Sequence, residues 1–125
     1  MAYVLAAVGG ALGALARWGV AGVLPSPGGG WPWATLLVNL TGCLLMGVLL
    51  GALAGRDPEP AWARPFLAVG VLGGYTTYSA FAVEVVDLAD AGAVARALGY
   101  VLVSVLGGVL AVAAGVRAVR GPGRR

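Results

Sequence analysis

The residues of this 125-residue chain that could do chemistry are few, and they lie inside long apolar stretches. Asn39 offers two amide N–H donors in one stretch, and Arg17 carries a full positive charge in another. Donors and a fixed positive charge suit an anion that has lost its water. Each residue also has an ordinary structural interpretation, because Asn39 could bond to a neighbouring helix and Arg17 could extend to an aqueous surface.

A third apolar stretch is interrupted by two adjacent glycines and two threonines within residues 73–77. Glycine costs about 1 kcal/mol in a helix and threonine is β-branched, so the sequence predicts a local break. A break frees backbone carbonyl oxygens, which are the ligands that hard cations prefer. A polar kink without an ion is the alternative interpretation.

Aromatic and hydroxyl groups follow this predicted break. Tyr78, Phe81 and Glu84 recur at a spacing of three and therefore share one helical face. Aromatic ring edges carry partial positive charge, so two rings could line an anion path without a full charge. Ordinary packing is the alternative. In the last apolar stretch, Tyr100 and Ser104 form a hydroxyl-bearing track.

The composition indicates that these apolar stretches lie in a lipid bilayer. Hydrophobic residues make up 60% of the chain and charged residues 10%, against about 45–50% and about 25% in soluble domains. The sequence has no histidine and one cysteine, Cys43, which excludes His/Cys metal sites, Cys–His nucleophiles and intrachain disulfides. The basic residues are arginines that are scattered singly or lie in the C-terminal tail, so we expect no nucleic-acid binding. No nucleophile–base pair is available, so we do not expect an enzyme.

Four stretches are long enough to cross a bilayer, which takes about 20 apolar residues. They cover about residues 3–24, 33–54, 65–88 and 93–119. We predict one integral membrane domain over residues 1–125 with an all-α fold, its third helix broken in mid-membrane. A turn at residues 25–32, a polar loop at 55–60 and a short acidic link at 87–90 are predicted between the spans.

Arginine placement predicts the orientation in the membrane. With four spans, both termini and the middle loop lie on one side, and the opposite side carries only Arg96. The terminal side carries Arg56, Arg64, Arg117, Arg120, Arg124 and Arg125. The bias predicts that both termini are cytoplasmic.

Glycines recur four residues apart on three of the spans, a pattern that lets helices approach closely in lipid. The sets are Gly9/Gly13, Gly47/Gly51/Gly55 and Gly70/Gly74. Four helices scarcely enclose a pathway alone, so we expect an oligomer. Packing within one chain is the alternative use of these glycines.

Three segments, residues 9–18, 34–42 and 73–81, closely resemble the Fluc (CrcB) family of bacterial fluoride channels. The likeness covers nearly the whole chain. It implies an antiparallel, dual-topology dimer in the cell membrane, with two pores through which fluoride leaves the cytoplasm passively, lowering its toxicity. It also implies a structural sodium ion at the dimer centre.

The resemblance assigns roles to individual residues. Backbone carbonyls of Gly73 and Thr76 would hold the sodium ion, Tyr78 and Phe81 would be the pore aromatics, and Asn39 the pore asparagine. The other matching positions are Arg17 near the vestibule and Thr77, Glu84, Tyr100 and Ser104 along the path. Tyr78 stands where the family usually has phenylalanine.

The partner and the class of protein have alternatives. The six-to-one arginine bias suits one half of a pair of oppositely oriented homologues, but we favour a homodimer because the chain has both the pore and the sodium motifs. A small multidrug-resistance-type transporter needs a carboxylate in the first span, which holds Arg17 and no acid. A non-conducting partner subunit of a paired channel is the remaining alternative.

Overall fold

The computed structural model describes residues 1–24 and 30–121, and all regular structure in those ranges is helical. Four helices are long and apolar enough to cross a membrane. Large apolar side chains face outward, with Leu106 and Leu110 60% and 67% exposed. Such surface needs lipid as its solvent. The predicted all-α, multi-pass membrane protein is confirmed.

Each predicted span agrees with its helix to within two residues at either end. The elements are α1 (Ala2–Val23), α2 (Trp33–Leu53), a π-helix (Arg64–Leu72) with one further α-turn (Gly73–Tyr75), α4 (Tyr78–Asp90) and α5 (Val94–Arg120). We use α3 for the π-helix and its α-turn together. The third span is therefore α3 and α4, separated by two residues.

The break between α3 and α4 lies at the threonine pair. Thr76 and Thr77 have extended backbone torsions, with φ/ψ of −76°/159° and −146°/125°. Gly73 is still helical, at −65°/−35°. The predicted break is confirmed, and it occurs at the β-branched residues, which favour extended backbone, rather than at the glycines.

Two connections differ from prediction or lie outside the described residues. The acidic link predicted at residues 87–90 is wrong, since Asp87 and Asp90 lie in the last turns of α4. The helix continues to Asp90 because Gly92, with φ of 75°, supplies the left-handed turn that ends it. Most of the predicted turn (residues 25–29), together with Arg124 and Arg125, lies outside the described residues.

Helices α1 and α3 pack backbone to backbone through glycines. A Cβ added at Gly13 would collide with the carbonyl oxygen of Val71, and one at Gly70 would lie 2.9 Å from Cα of Gly9. Both faces of this contact must lack side chains. These glycines therefore serve packing within one chain, which was the alternative interpretation, and they carry no argument for an oligomer.

Helices α2 and α5 meet in the same way. A Cβ at Gly47 would strike the Val112 carbonyl, and one at Gly115 would strike the Leu44 carbonyl. The two glycine-mediated pairs fix α1 against α3 and α2 against α5.

A small buried core forms where α2, α4 and α5 meet. Its members are Leu36, Leu88, Ala97 and Tyr100, and Tyr100 is completely buried. Phe81 packs against this core from the side of the break. The core thus sets α4 and α5 at the positions that the candidate site requires.

Candidate functional site

A groove of about 370 Å³ opens beside the break, between α2, α4 and α5. We call it the break groove. Five predicted pathway residues line it: Asn39, Thr77, Tyr78, Phe81 and Ser104. Side chains from three separate helices therefore meet along one path.

Asn39 of α2 holds the backbone of the break. Its Nδ2 donates to the Thr77 carbonyl oxygen at 2.9 Å, and its Oδ1 accepts from the Thr77 N–H at 2.8 Å. Asn39 therefore forms an interhelical hydrogen bond, which was its alternative, structural interpretation. An asparagine amide has two N–H donors, so one remains beyond this pair of bonds.

The break also removes the helical hydrogen-bond donors of the two backbone carbonyls that the resemblance assigns to sodium. In a continuous α-helix, the carbonyls of Gly73 and Thr76 would accept from residues 77 and 80. The Thr77 N–H donates to Asn39 instead, and the Ala80 N–H donates to the Thr77 hydroxyl. Carbonyl oxygens without their helical donors fit a hard cation.

Three aromatic rings form a continuous series beside the groove. The ring centroids of Tyr78 and Phe81 are 5.9 Å apart, and those of Phe81 and Tyr100 are 5.2 Å apart. Exposure falls along the series, from 80% at Tyr78 to 0% at Tyr100. The shared face predicted for Tyr78 and Phe81 is present, and Phe81 has a packing role as well.

Glu84 lies behind these rings and accepts two hydroxyl hydrogen bonds. Thr35 donates to Oε1 at 2.6 Å, and Tyr100 donates to Oε2 at 2.7 Å. Hydrogen bonds to a carboxylate are among the stronger ones in proteins. Sequence reasoning named Glu84 and Tyr100 but did not predict Thr35 as their partner, although Thr35 lies one turn before Asn39 on α2.

Ser104 of α5 places its hydroxyl near that of Tyr100 on the same helix. Its Oγ is buried and has no hydrogen-bond partner among the described residues. Since buried hydroxyls are normally bonded, a group that enters the groove can use this donor.

Arg17 lies apart from the break groove. It borders a second cavity of about 290 Å³, between α1, α2 and α4, together with Thr35 and Thr77. Thr77 borders both cavities. Thr77 and the start of α4 therefore separate Arg17 from the groove.

Another hydrogen bond that the sequence did not predict joins α2 to α3. The hydroxyls of Thr41 and Tyr75 are 3.0 Å apart. Because Thr41 donates its one proton to the Leu37 carbonyl, Tyr75 donates to Thr41. This bond fixes the last turn before the break against α2.

Comparison with known proteins identifies the family. A family model described as "CrcB-like protein, Camphor Resistance (CrcB)" matches residues 4–116. The chain belongs to the CrcB family. The three segments that resemble the CrcB family occupy structurally important positions. Residues 9–18 lie at the α1–α3 contact, residues 34–42 on the α2 face of the break groove, and residues 73–81 at the break itself.

Curated relatives match over nearly their whole length. The "Fluoride-specific ion channel FluC" of Paracoccus denitrificans is 48% identical over 92% of this chain and 91% of its own. The protein of the same name from Thermus thermophilus is 46% identical over 92% and 91%. That of Bordetella petrii is 43% identical over 91% and 88%. This CrcB-family chain therefore matches these relatives along most of their length rather than over a part of them.

Proposed function

We propose that this CrcB-family protein is a fluoride-specific ion channel of the cell membrane, through which fluoride leaves the cytoplasm passively. The observation that carries the proposal is the break groove, where an amide, hydroxyls and two aromatic rings from three helices line one path. No arginine borders that groove among the described residues. Relatives over 40% identical bear the name of a fluoride-specific channel, which supports the same conclusion.

Neutral donors suit fluoride because the ion is small and strongly hydrated. The spare N–H of Asn39 and the hydroxyl of Ser104 can replace part of its water. Ring edges of Phe81 and Tyr78 add partial positive charge without trapping the ion as a full charge does. A narrow path of close donors compensates a small anion better than a large one.

The remaining pathway residues act beside the groove. Thr77 borders both cavities, and Arg17 places a positive charge on the far side, where it can attract anions to an entrance. Glu84 and Tyr100 continue the polar track behind Phe81. Their hydrogen bond to each other keeps the carboxylate in a fixed position.

A second copy in the opposite orientation completes the channel in this proposal. In the single chain the groove is open, and Tyr78 is 80% exposed. Gly73 is exposed as well. An antiparallel homodimer would cover both residues and enclose two paths. A heterodimer with an oppositely oriented homologue would do the same.

A structural sodium ion belongs to this dimer. The carbonyl oxygens of Gly73 and Thr76 from both subunits would hold it. Carbonyl dipoles that converge in a low-dielectric interior repel one another, and a bound cation offsets that repulsion. The ion is structural and is not transported.

Efflux from liposomes tests the proposal with the purified protein alone. Vesicles loaded with potassium fluoride are diluted into fluoride-free buffer, and external fluoride is followed with an electrode. We expect release only after a potassium ionophore relieves the membrane potential, without proton exchange. Release coupled to protons would overturn the channel in favour of a transporter. No release from the protein alone would overturn the homodimer, because neither a non-conducting subunit nor one half of a heterodimer conducts without its partner.

A further inference from the structure

We infer that two side chains, Asn39 and Thr77, hold the third span open at its break and thereby set how tightly the break binds a monovalent cation. The inference rests on the sodium site proposed above. It assigns these two side chains a positioning role, since the cation ligands are the backbone carbonyls of Gly73 and Thr76. The role is separate from any contact that Asn39 makes with fluoride.

The amide of Asn39 removes one helical hydrogen bond from the span. An α-helix would direct the Thr77 N–H to the Gly73 carbonyl. Instead this N–H donates to Asn39 Oδ1 at 2.8 Å, and Asn39 Nδ2 donates to the Thr77 carbonyl at 2.9 Å. Thr77 is only 8% exposed, so water does not readily take the place of the amide. The Gly73 carbonyl therefore lacks its helical donor.

The hydroxyl of Thr77 removes a second helical hydrogen bond from the third span. The Ala80 N–H, which an α-helix would direct to the Thr76 carbonyl, donates to Thr77 Oγ1 at 3.2 Å. Thr77 thus caps the N-terminus of α4. The Thr77 hydroxyl also lies 3.3 Å from Ser79 Oγ, which can accept its proton.

The two diverted donors correspond to the two carbonyls of the proposed sodium site. A carbonyl that already accepts an N–H bond is a weaker cation ligand, and the helix must open before it can bind the ion fully. With Asn39 and Thr77 in place, that opening precedes the ion. If either side chain is lost, its donor can return to Gly73 or Thr76, and cation binding then competes with helix closure.

The cation response of thermal unfolding tests this inference. The full-length protein is purified in detergent, and its unfolding midpoint is titrated with sodium against N-methylglucamine at constant ionic strength. Thr77→Val keeps the side-chain shape and removes the acceptor of the Ala80 N–H. We expect the sodium concentration for half-maximal stabilisation to rise about tenfold, the effect of one lost hydrogen bond. Asn39→Leu should raise it similarly, and Thr77→Ser should restore the wild-type value.

Thr41→Val is the matched control. It removes a hydrogen bond across the same contact with α2, to Tyr75, but it diverts no backbone donor of the break. We expect a lower unfolding midpoint and an unchanged sodium response. Circular dichroism confirms that each variant is helical, and Asn39→Leu provides the test if Thr77→Val does not fold.

The possible failures are distinguishable. A wild-type response to sodium together with the same half-maximal concentration in Thr77→Val and Asn39→Leu would overturn the inference and leave the channel and its sodium site standing. Absence of any sodium response in the wild type would overturn the sodium site and the inference together. Fluoride efflux, measured separately, decides the channel itself.

Discussion

The rings of Phe81 and Tyr100 lie with their centroids 5.2 Å apart at an angle of 48°. Phe81 borders the break groove, and the Tyr100 hydroxyl donates to Glu84 behind it. This ring contact joins the open groove to the part-buried carboxylate. The hydroxyl–carboxylate cluster of Tyr100, Glu84 and Thr35 thus lies behind Phe81, beside the groove.

The first prediction concerns Phe81→Ile. An aliphatic side chain fills similar space but has no positive ring edge, so fluoride efflux should fall to the level of protein-free vesicles. The proposed dimer should remain intact by size-exclusion chromatography. Phe66→Ile is the control, because Phe66 is the other phenylalanine and does not border the break groove. Efflux at the wild-type rate in Phe81→Ile would return this ring to a packing role alone.

The second prediction concerns Tyr100→Phe. The ring stays, but Glu84 loses one of its two donors, a hydroxyl from a fully buried residue. We expect a loss of stability of about 1.5–3 kcal/mol, the range for a hydrogen bond to a charged group. Thermal unfolding in detergent measures it. Tyr3→Phe is the control, since Tyr3 is 91% exposed and should change nothing.

The same cluster predicts coupling between Tyr100 and Thr35. Both donate to one carboxylate, so the effects of Tyr100→Phe and Thr35→Val should not add. Additive losses in the double variant would show that the two hydrogen bonds are independent.

The third prediction compares two glycines of α1. Gly13→Ala places a methyl group against the Val71 carbonyl, while the space around Gly19 is open. Overpacking of this kind costs about 1–3 kcal/mol. Gly19→Ala should be neutral or more stable, because alanine favours helix by up to about 1 kcal/mol. Equal unfolding midpoints for the two variants would contradict the backbone contact between α1 and α3.

The fourth prediction concerns the sodium ion. Replacing sodium with a bulky organic cation should suppress fluoride efflux once any trapped ion has exchanged. Thr76→Ala should leave sodium binding largely intact, because the proposed ligands are backbone carbonyls, whereas the Thr76 hydroxyl donates to the Leu72 carbonyl at 2.9 Å within its own helix. Equal flux and equal dimer stability without sodium would mean that the break is only a kink.

The sequence predicts the spans well because their signal is local. About 20 apolar residues per crossing is a length requirement that each stretch meets by itself. Low helix propensity predicts a break within residues 73–77, but propensity alone does not place it at Thr76 and Thr77. In the structure, the side chain of Asn39, 38 residues away, hydrogen-bonds to the backbone of Thr77, where the helix breaks. This long-range partner is not part of the local signal.

Other features depend on how the helices are rotated against one another, which a single sequence does not specify. The pairing of Thr35 with Glu84 needs α2 and α4 in one particular setting. The glycine pairs predict close approach, but spacing alone does not distinguish contacts within the chain from contacts between chains. Similarly, Arg17 is predicted on the anion path, and its placement beside a separate cavity required the structure.

Anion selectivity in liposomes distinguishes a fluoride-specific channel from a general anion pathway. Purified protein is reconstituted into two sets of vesicles, one loaded with potassium fluoride and one with potassium chloride, and efflux is started with a potassium ionophore. The break groove, lined by neutral donors and aromatic rings, predicts rapid fluoride release and chloride release no faster than from protein-free vesicles. Chloride release at a rate comparable to that of fluoride would contradict it.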